Sequence, residues 1–404
     1  MTLPSLTALS LRPARLTVAL SAAALAALLT ACAAPGGTLA VRHAFVASEA
    51  QNQLVVIDLQ TEQPIKTLAT GQVPHAMATT AQGTIFVNNR GSKNLTLIDG
   101  FRLEPLGALD LPATSFQLAV SPDEKTLAVV YRDALKLTLV DTAQRKIIRT
   151  IDLDGGTAPA FKGVMMKHPY WSADGRFVYV GDAVNRRIVK VDVAAGRIDK
   201  ALPIDGLNHY LHPSPDGAWL YAVNESQRGN ASLTLIDART DRVVKELTVA
   251  LQPGEKALGH HGAFTRDGRH FLYCNEGGRQ ISVLDVASQT WVKTLATGKG
   301  PGHAALSPDG RYFYVVHHND GVITVIDAQR LEVVRNIGIG TGDKQSHAAW
   351  FTPDGQSFYV VAASDKQLVK IDTRRLEVVS RIPVGAQSMF FAVRDGNAFP
   401  ATEY

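Results

Sequence analysis

Histidine is the residue type that most clearly points to chemistry in this sequence, because seven of its twelve copies recur at two neighbouring positions of an internal repeat. Each repeat carries a Pro-Asp-Gly turn or a variant of it, and the two positions lie eight and seven residues before the turn glycine. The seven histidines are His75, His168, His209, His260, His261, His303 and His347. Imidazole is the commonest metal ligand and is mostly neutral at pH 7. If the fold brings these positions together, they are candidate ligands for haem iron, copper or zinc.

A structural role is the alternative for these histidines. A histidine at the start of a strand often bonds neighbouring backbone, and duplication alone can multiply it. We interpret His43, His212 and His270 as solvated or structural residues. His317 and His318 lie in a turn on the same face as the seven and remain ambiguous.

Arginines form a second set on the face where the repeated histidines are expected. Arg90 and Arg132 follow apolar strands closely and are the better candidates for binding an anionic ligand. Guanidinium suits bidentate contacts with carboxylates. Solvated turn residues that aid solubility are the alternative for most of this set.

The repeat itself predicts the fold. Each unit holds four short β-rich runs, and an aliphatic residue followed by Asp marks the third run. These markers are Asp58, Asp99, Asp141, Asp192, Asp237, Asp285, Asp327 and Asp372. Four-stranded units with a period of about 45 residues are typical of propeller blades. We therefore predict an all-β, eight-bladed β-propeller, with seven blades as the second choice if the irregular unit around 157–206 is not a blade.

The two ends of the repeat region are predicted to share one blade. The first unit begins at its second strand, over residues 43–48, and lacks an inner strand. Residues 389–396 resemble an inner strand and its turn. Pairing the C-terminal strand with the N-terminal blade closes the ring and removes an exposed edge.

The N-terminus has the pattern of a bacterial lipoprotein signal. Arg12 and Arg15 precede a continuous apolar run over residues 16–29, which is the right length for a signal peptide core. The run ends in Leu-Thr-Ala-Cys, so Cys32 is expected to be lipidated, and an ordinary signal peptide with a chance cysteine is the alternative. A diacyl anchor gives stable membrane attachment.

This pattern sets the expected domains and location. We expect a lipoprotein signal peptide over 1–31, a tether over 32–40, one propeller domain over 41–399 and a tail over 400–404. The protein is then attached by lipid at the periplasmic side of the bacterial cell envelope, with the outer membrane favoured over the inner one. The lipid anchor is the only expected membrane contact.

The composition of the chain excludes some classes of partner and cofactor site. The chain has 41 Lys and Arg against 37 Asp and Glu, a net charge of +4 without basic runs, so nucleic acid is not an expected partner. Its two cysteines, Cys32 and Cys274, form no C-x-x-C motif, which argues against a thiolate zinc site or c-type haem attachment. Cys274 lies in a predicted strand and is expected to be inert core.

The repeats resemble the YVTN-type propellers, and the eight units narrow the resemblance to the cytochrome d1 propellers. That family includes the d1 domain of cytochrome cd1 nitrite reductase and relatives in d1-haem biosynthesis, one of them a lipid-anchored periplasmic protein. The segment over 70–99 is similar to the one that carries the proximal haem ligand, which implies that His75 ligates iron. The segments over 257–273 and 298–310 are similar to those that carry distal histidines, which implies this role for His261 (or His260) and His303.

Three functions follow from these observations. The first is a lipid-anchored propeller that binds a d1-type haem or its precursor in maturation or delivery. The second is a copper protein, either an oxidoreductase or a carrier, because the extra His168, His209 and His347 are similar to a ring of copper-binding histidines. The third is a non-catalytic scaffold that binds another envelope protein. The sequence leaves open whether the protein is an enzyme, and also its ligand and its oligomeric state.

Overall fold

The computed structural model describes residues 1, 42–154, 164–225, 231–341 and 347–396. Apart from Met1, the expected signal peptide, Cys32, the tether and the tail over 400–404 lie outside the described residues. The chain divides into two compact units, Met1–Ala40 and Val41–Tyr404, and the fold below belongs to the second. Among the described residues, no helix is long and apolar enough to cross a bilayer.

The second unit is built from eight four-stranded antiparallel sheets. Blades 1 and 2 contain β1 (Arg42–Ser48), β2 (Gln53–Asp58), β3 (Gln63–Ala69), β4 (Pro74–Thr79), β5 (Thr84–Asn89), β6 (Asn94–Asp99) and β7 (Glu104–Asp110). Blades 3 and 4 contain β8 (Ser115–Val120), β9 (Thr126–Tyr131), β10 (Lys136–Asp141), β11 (Lys146–Asp152), β12 (Met166–Trp171), β13 (Phe177–Asp182), β14 (Arg187–Asp192) and β15 (Arg197–Pro203). A short 3-10 helix, Glu49–Gln51, follows β1.

The other four blades repeat this order. Blades 5 and 6 contain β16 (Leu207–Pro213), β17 (Trp219–Glu225), β18 (Ser232–Asp237), β19 (Arg242–Thr248), β20 (Gly259–Phe264), β21 (His270–Asn275), β22 (Gln280–Asp285) and β23 (Thr290–Ala296). Blades 7 and 8 contain β24 (Pro301–Leu306), β25 (Tyr312–His317), β26 (Val322–Asp327), β27 (Glu332–Gly338), β28 (Ala349–Phe351), β29 (Ser357–Ala362), β30 (Gln367–Asp372) and β31 (Glu377–Pro383). The last strand, β32 (Phe391–Asp395), belongs to blade 1.

The predicted eight-bladed propeller is therefore confirmed, and the seven-bladed alternative is wrong. The irregular unit around 157–206 forms a complete blade from β12 to β15. The hydrophobic pattern of this unit is regular in its two central strands, β13 and β14, which are almost entirely buried. The irregularity of the sequence lies before β12 and leaves the four-stranded sheet intact.

Burial follows the position of each strand within its blade. The second and third strands are buried on both faces, as in β25 and β26, because neighbouring blades pack against both sides of each sheet. The outermost strands are mostly exposed, and β27 buries only one residue. The cores therefore lie between adjacent blades, around the inner three strands.

Short polar motifs hold the hairpins in register. Between the first two strands of blade 7, the Ser307 hydroxyl donates to Asp309, 2.6 Å away, and Gly310 adopts a positive φ of 75°. After the third strand, Asp327 accepts backbone N–H bonds from Gln329 and Arg330 at 3.0 and 2.8 Å. The marker aspartates thus end strands and accept turn hydrogen bonds, as their recurrence in every blade predicted.

Blade 1 is assembled from both ends of the propeller. β32 pairs with β1 in antiparallel register, from Arg42 opposite Asp395 to Val46 opposite Phe391. The Arg42 Nε lies 3.0 Å from Asp395 Oδ1, so an ion pair adds to the backbone ladder. The C-terminal strand therefore closes the ring, as predicted.

Replacing Phe391 by Ala is expected to lower the free energy of unfolding by about 3–5 kcal/mol, since its side chain is 1% exposed within the core that joins both ends. Urea unfolding followed by tryptophan fluorescence measures this loss. The matched control is Val379→Ala on the outermost strand of blade 8, where the side chain is 43% exposed and a change within about 0.5 kcal/mol is expected. Equal effects in both variants would contradict closure by β32.

Candidate functional site

The innermost strands of six blades carry a β-bulge at the positions of the repeated histidines. The pairing register shifts between Pro74 and Met77, Ser115 and Gln117, Met166 and Pro169, Asn208 and Tyr210, Gly259 and Gly262, and Pro301 and His303. A bulge places an extra residue opposite one partner and re-aims the side chains around it. Neighbouring residues such as His260 and His261 therefore both reach the cavity at the channel mouth.

In the two remaining blades, the same positions come before the strand. His347 precedes β28, and Ser388 and Met389 precede β32, so strand pairing places no constraint on them. The side of the ring where the innermost strands start is called the top face below.

The structure places all seven repeated histidines around one opening on the top face, where they line a single cavity. The ring centroids are 4.0 Å apart for His209 and His260, and 4.2 Å for His261 and His303. His75 lies at the edge of the cluster, 6.3 Å from the ring of His347 and 4.4 Å from the ring of Phe390. Imidazoles from six blades thus meet at one place.

Two subsets of these side chains have the spacing of metal ligands. The four-histidine group consists of His260, His303, His318 and His347. The three-histidine group consists of His168, His209 and His261. Within each group, one ring nitrogen per residue lies within 4.8 Å of the others. His318, which the sequence left ambiguous, belongs to the site.

Several buried ring nitrogens have no hydrogen-bond partner among the described residues. They are both nitrogens of His261, Nε2 of His209, Nδ1 of His260 and Nε2 of His318. Leaving a buried polar group unsatisfied costs about 1–3 kcal/mol. The fold therefore holds these imidazoles in an unfavourable environment that a ligand would relieve.

A second ring of side chains lies at the end of the second strand of every blade, and sequence reasoning identified only part of it. The residues at this position are Glu49, Arg90, Arg132, Ala183, Glu225, Glu276, His318 and Ala363. The signal was present in the sequence, since each of them follows the last residue of the same apolar run. The three glutamates were missed because the repeat positions were counted back from the turn glycine. Within the repeat unit, the glutamates lie after that glycine, at the end of the strand that follows it.

Each of these glutamates contacts a cluster histidine. Glu225 Oε1 lies 2.6 Å from Nδ1 of His209 and 3.0 Å from the Lys167 ammonium. Glu49 Oε1 lies 2.5 Å from Nδ1 of His75. A carboxylate on one ring nitrogen fixes the tautomer and leaves the other nitrogen for a ligand.

Glu276 contacts two members of the four-histidine group. Its Oε2 lies 3.7 Å from Nε2 of His260, and its Oε1 lies 3.5 Å from Nδ1 of His318. These contacts are longer than hydrogen bonds. The carboxylate is nevertheless placed to orient both rings.

The histidines of the cluster are held neutral. Burial, with mutual repulsion among protonated imidazoles and nearby Arg and Lys side chains second, lowers the pKa of His75, His168, His260, His261 and His347 well below the usual 6.5. Burial also raises the pKa of Glu225, but the hydrogen bond from His209 and the charge of Lys167 outweigh it and lower that pKa to about 2. Neutral imidazole is the form that binds metal.

The opposite side of the mouth is cationic. The guanidinium of Arg90 lies 4.8 Å from the ring centroid of Phe116, and the Lys167 ammonium lies 5.6 Å from it. Burial lowers the pKa of Arg90 to about 10, so it remains charged at pH 7, and burial raises the pKa of the adjacent Glu49 to about 7. Arg132, the second predicted anion-binding arginine, is exposed and is not among the cavity-lining residues.

The remaining predicted residues serve the fold. His212 Nε2 accepts the backbone N–H of Gly262 at 3.0 Å, and His317 Nδ1 lies 3.0 Å from the carbonyl of Val322. His43 is buried, whereas His270 is half-buried at the start of β21. Cys274 is fully buried, and burial raises its thiol pKa, in keeping with an inert core residue.

Comparison with known proteins gives a consistent result. The sequence pattern of the family described as the cytochrome D1 heme domain matches residues 118–303 and 273–390. The dihydro-heme d1 dehydrogenase of Pseudomonas aeruginosa is 27% identical over 137 residues, which are 33% of this chain and 27% of that protein. The chain therefore aligns with little more than a quarter of this curated relative.

Solved structures show the same fold at low identity. Dihydro-heme d1 dehydrogenase NirN in complex with DHE has a TM-score of 0.72 at 20% identity, covering 86% of this chain and 74% of that one. Hydrazine synthase from Kuenenia stuttgartiensis has a TM-score of 0.59 at 17% identity, covering 74% and 95%. At these identities the likeness is one of fold.

The free energy of unfolding of metal-free protein is expected to fall as the pH drops below about 6.5. The cluster histidines keep a low pKa in the folded protein, so the unfolded chain binds more protons in this range. Each histidine that stays neutral in the folded protein is expected to lower the free energy of unfolding by about 1.4 kcal/mol for each unit by which the pH falls. Glu49, with its pKa of about 7, acts in the opposite direction between about 4.5 and 7 and offsets one histidine.

Urea denaturation between pH 7.5 and 5.5 in the presence of EDTA measures this dependence. His347→Asn is expected to reduce the slope by the contribution of one histidine. A stability that does not vary with pH would show that these imidazoles are not buried neutral in the folded chain.

Proposed function

The chain belongs to the cytochrome D1 heme domain family, and from this premise we propose that its propeller binds a d1-type haem or a precursor of it on the top face. The observation that carries the proposal is a single cavity that combines imidazoles, two half-buried cations and aromatic rings. The protein would act in the maturation or delivery of this pigment.

His75 is the best placed residue to bind the iron. Its Nδ1 is engaged by Glu49 at 2.5 Å, which directs Nε2 toward any ligand. A carboxylate on the far nitrogen also raises the basicity of a metal-bound imidazole. When bound, the haem would supply a redox-active iron.

Arg90 and Lys167 are placed to hold the carboxylates of the macrocycle. Both cations lie beside Phe116, whose ring gives an apolar surface for a conjugated system. Lys167 is already paired with Glu225, so Arg90 carries more of the net positive charge available to an anion. Charge-assisted contacts of this kind are about twice as strong as neutral ones.

The residue types that line the cavity suit a tetrapyrrole. The volume of the cavity limits how deeply the macrocycle can enter. The described residues enclose about 280 Å³, whereas small-molecule sites usually measure about 300–1,000 Å³. The cavity therefore accommodates part of a macrocycle. His261 and His303 are the candidates for proton donation on the distal side, and both line this cavity.

Two other functions remain as alternatives. The comparisons lend no support to a copper oxidoreductase or copper carrier as the function of the whole protein. A non-catalytic scaffold for an envelope protein would have the same fold, and it is the outcome if no pigment binds.

We also propose that lipid on Cys32 attaches the protein to the periplasmic side of the cell envelope, preferably to the outer membrane. The support is the apolar run over 16–29 followed by Leu-Thr-Ala-Cys, a pattern that predicts lipidation. The lipid is then the only expected contact with the membrane.

Arg90→Ala is expected to weaken binding of d1 haem about tenfold or more, which corresponds to about 1.4 kcal/mol. The loss arises because a partly buried cation would no longer meet the carboxylates. Absorbance titration of pigment-free protein with extracted d1 haem measures the change. The matched control is Arg132→Ala, which removes an exposed arginine of the same ring and should change affinity less than threefold.

His75→Ala tests the iron ligand in the same titration. The variant should bind pigment without the absorption spectrum of imidazole-ligated iron, and added imidazole should restore that spectrum. An unchanged spectrum in His75→Ala would assign the iron to another residue. Failure of the unaltered protein to bind pigment would reject the proposed function in favour of a scaffold.

Cys32→Ser tests the anchor in a bacterial host that processes lipoproteins. The unaltered chain should sediment with the membrane fraction and incorporate labelled fatty acid, while the variant should do neither. Cys274→Ser is the matched control, because its buried thiol should have no influence on either readout. A Cys32→Ser protein that remains in the membrane fraction would contradict a lipid anchor at this residue.

A further inference from the structure

The number of imidazoles at the mouth exceeds what a haem can use. A haem iron is already bound by the macrocycle nitrogens and takes axial ligands from the protein. The four-histidine group and the three-histidine group together offer seven imidazoles, and neither group contains His75. Distal roles at a haem would use two of them, His261 and His303, and leave five without an assigned role.

The spacing within each group matches a bare metal ion. Zinc binds imidazole nitrogen at about 2.0–2.1 Å in a tetrahedron, so two nitrogen ligands of one ion are about 3.4 Å apart. The candidate nitrogens within each group lie within 4.8 Å of one another. Small side-chain rotations would close either group around an ion.

The unsatisfied nitrogens point to the same ligand. His261 is 1% exposed, and neither of its nitrogens has a hydrogen-bond partner among the described residues. In His209, Glu225 binds one nitrogen and leaves the other unpartnered. This is the arrangement in which a carboxylate orients a metal-binding imidazole.

The charges around the mouth are divided in the same way. Glu225 and Glu276 lie beside the two histidine groups, whereas Arg90 lies across the mouth beside Phe116. A cation is therefore favoured beside Glu225 and Glu276, and an anion beside Arg90.

We propose that the four-histidine group and the three-histidine group each bind one late first-row transition-metal ion without a macrocycle. Imidazole ligands suit zinc, copper and nickel, and copper(II) binds most tightly in this series. The two groups adjoin, since the rings of His209 and His260 are 4.0 Å apart. The protein therefore holds two neighbouring ions, and this assignment does not depend on pigment binding.

Metal analysis of pigment-free protein tests the proposal directly. Protein freed of metal with a chelator, then titrated with Zn²⁺ or Cu²⁺ and dialysed, should retain two ions per chain. The double variant His318→Ala/His347→Ala leaves two imidazoles in the four-histidine group, and His168→Ala leaves two in the three-histidine group, so each should retain one ion. His270→Ala lies outside both groups and should retain two.

Spectroscopy gives a readout that does not depend on a variant folding. Cu²⁺ in the unaltered protein should show electron paramagnetic resonance with nitrogen hyperfine structure from several imidazoles. Glu225→Gln and Glu276→Gln keep all the histidines, and each should weaken one of the two sites about 10- to 100-fold. Because these variants keep every imidazole, a weaker affinity in them reports the orientation of the ligands and not their loss.

The outcomes of the metal-binding experiments can be told apart from those of the pigment-binding experiments. Retention of no ion, or of one ion that both histidine variants lose, would overturn the proposal, as would two ions that neither variant affects. Arg90→Ala should leave metal binding unchanged while it weakens pigment binding. Metal binding without pigment uptake would reject the proposed function alone, and pigment uptake without metal binding would reject this inference alone.

Discussion

The β-bulge in the innermost strand is the constraint on which the top face depends. In a regular strand, neighbouring side chains point to opposite faces, so only one of each adjacent pair would reach the channel. The register shift in six blades removes this limit at the two positions that carry the repeated histidines. His260 and His261 can then both line one cavity, and the cluster gains more imidazoles than it has contributing blades.

Concentrating neutral imidazoles has a structural cost that the second ring of side chains partly offsets. Burial depresses the pKa of the cluster histidines, and several of their nitrogens lack a hydrogen-bond partner within the described part of the chain. Glu49, Glu225 and Glu276 each contact at least one of these rings and hold it in place. The surrounding core keeps the arrangement intact, since the strands on both sides are packed between neighbouring blades.

Much of the fold could be predicted from the sequence, because each blade repeats its own signals. The turn glycines, the marker aspartates and the missing inner strand of the first unit indicated eight blades and their closure by residues 389–396. The convergence of the histidines followed from their common position in the repeat. The grouping of His318 with His260, and the separation of Arg90 from Arg132, could not be predicted, because they depend on side-chain directions that a bulge and the curvature of the ring determine. The glutamates contacting the histidines come from a different strand of each blade, so spacing along the chain did not connect them with their partners.

The direction of β1 determines on which side of the ring the N-terminal strand begins. β1 begins at Arg42, beside Asp395 at the end of β32, and it ends at Ser48, directly before Glu49 on the top face. The chain therefore enters the ring from beneath, at the end of the channel remote from the imidazoles. The junction at Arg42 therefore leaves the histidine-lined opening clear for a ligand that diffuses in from the other side of the ring.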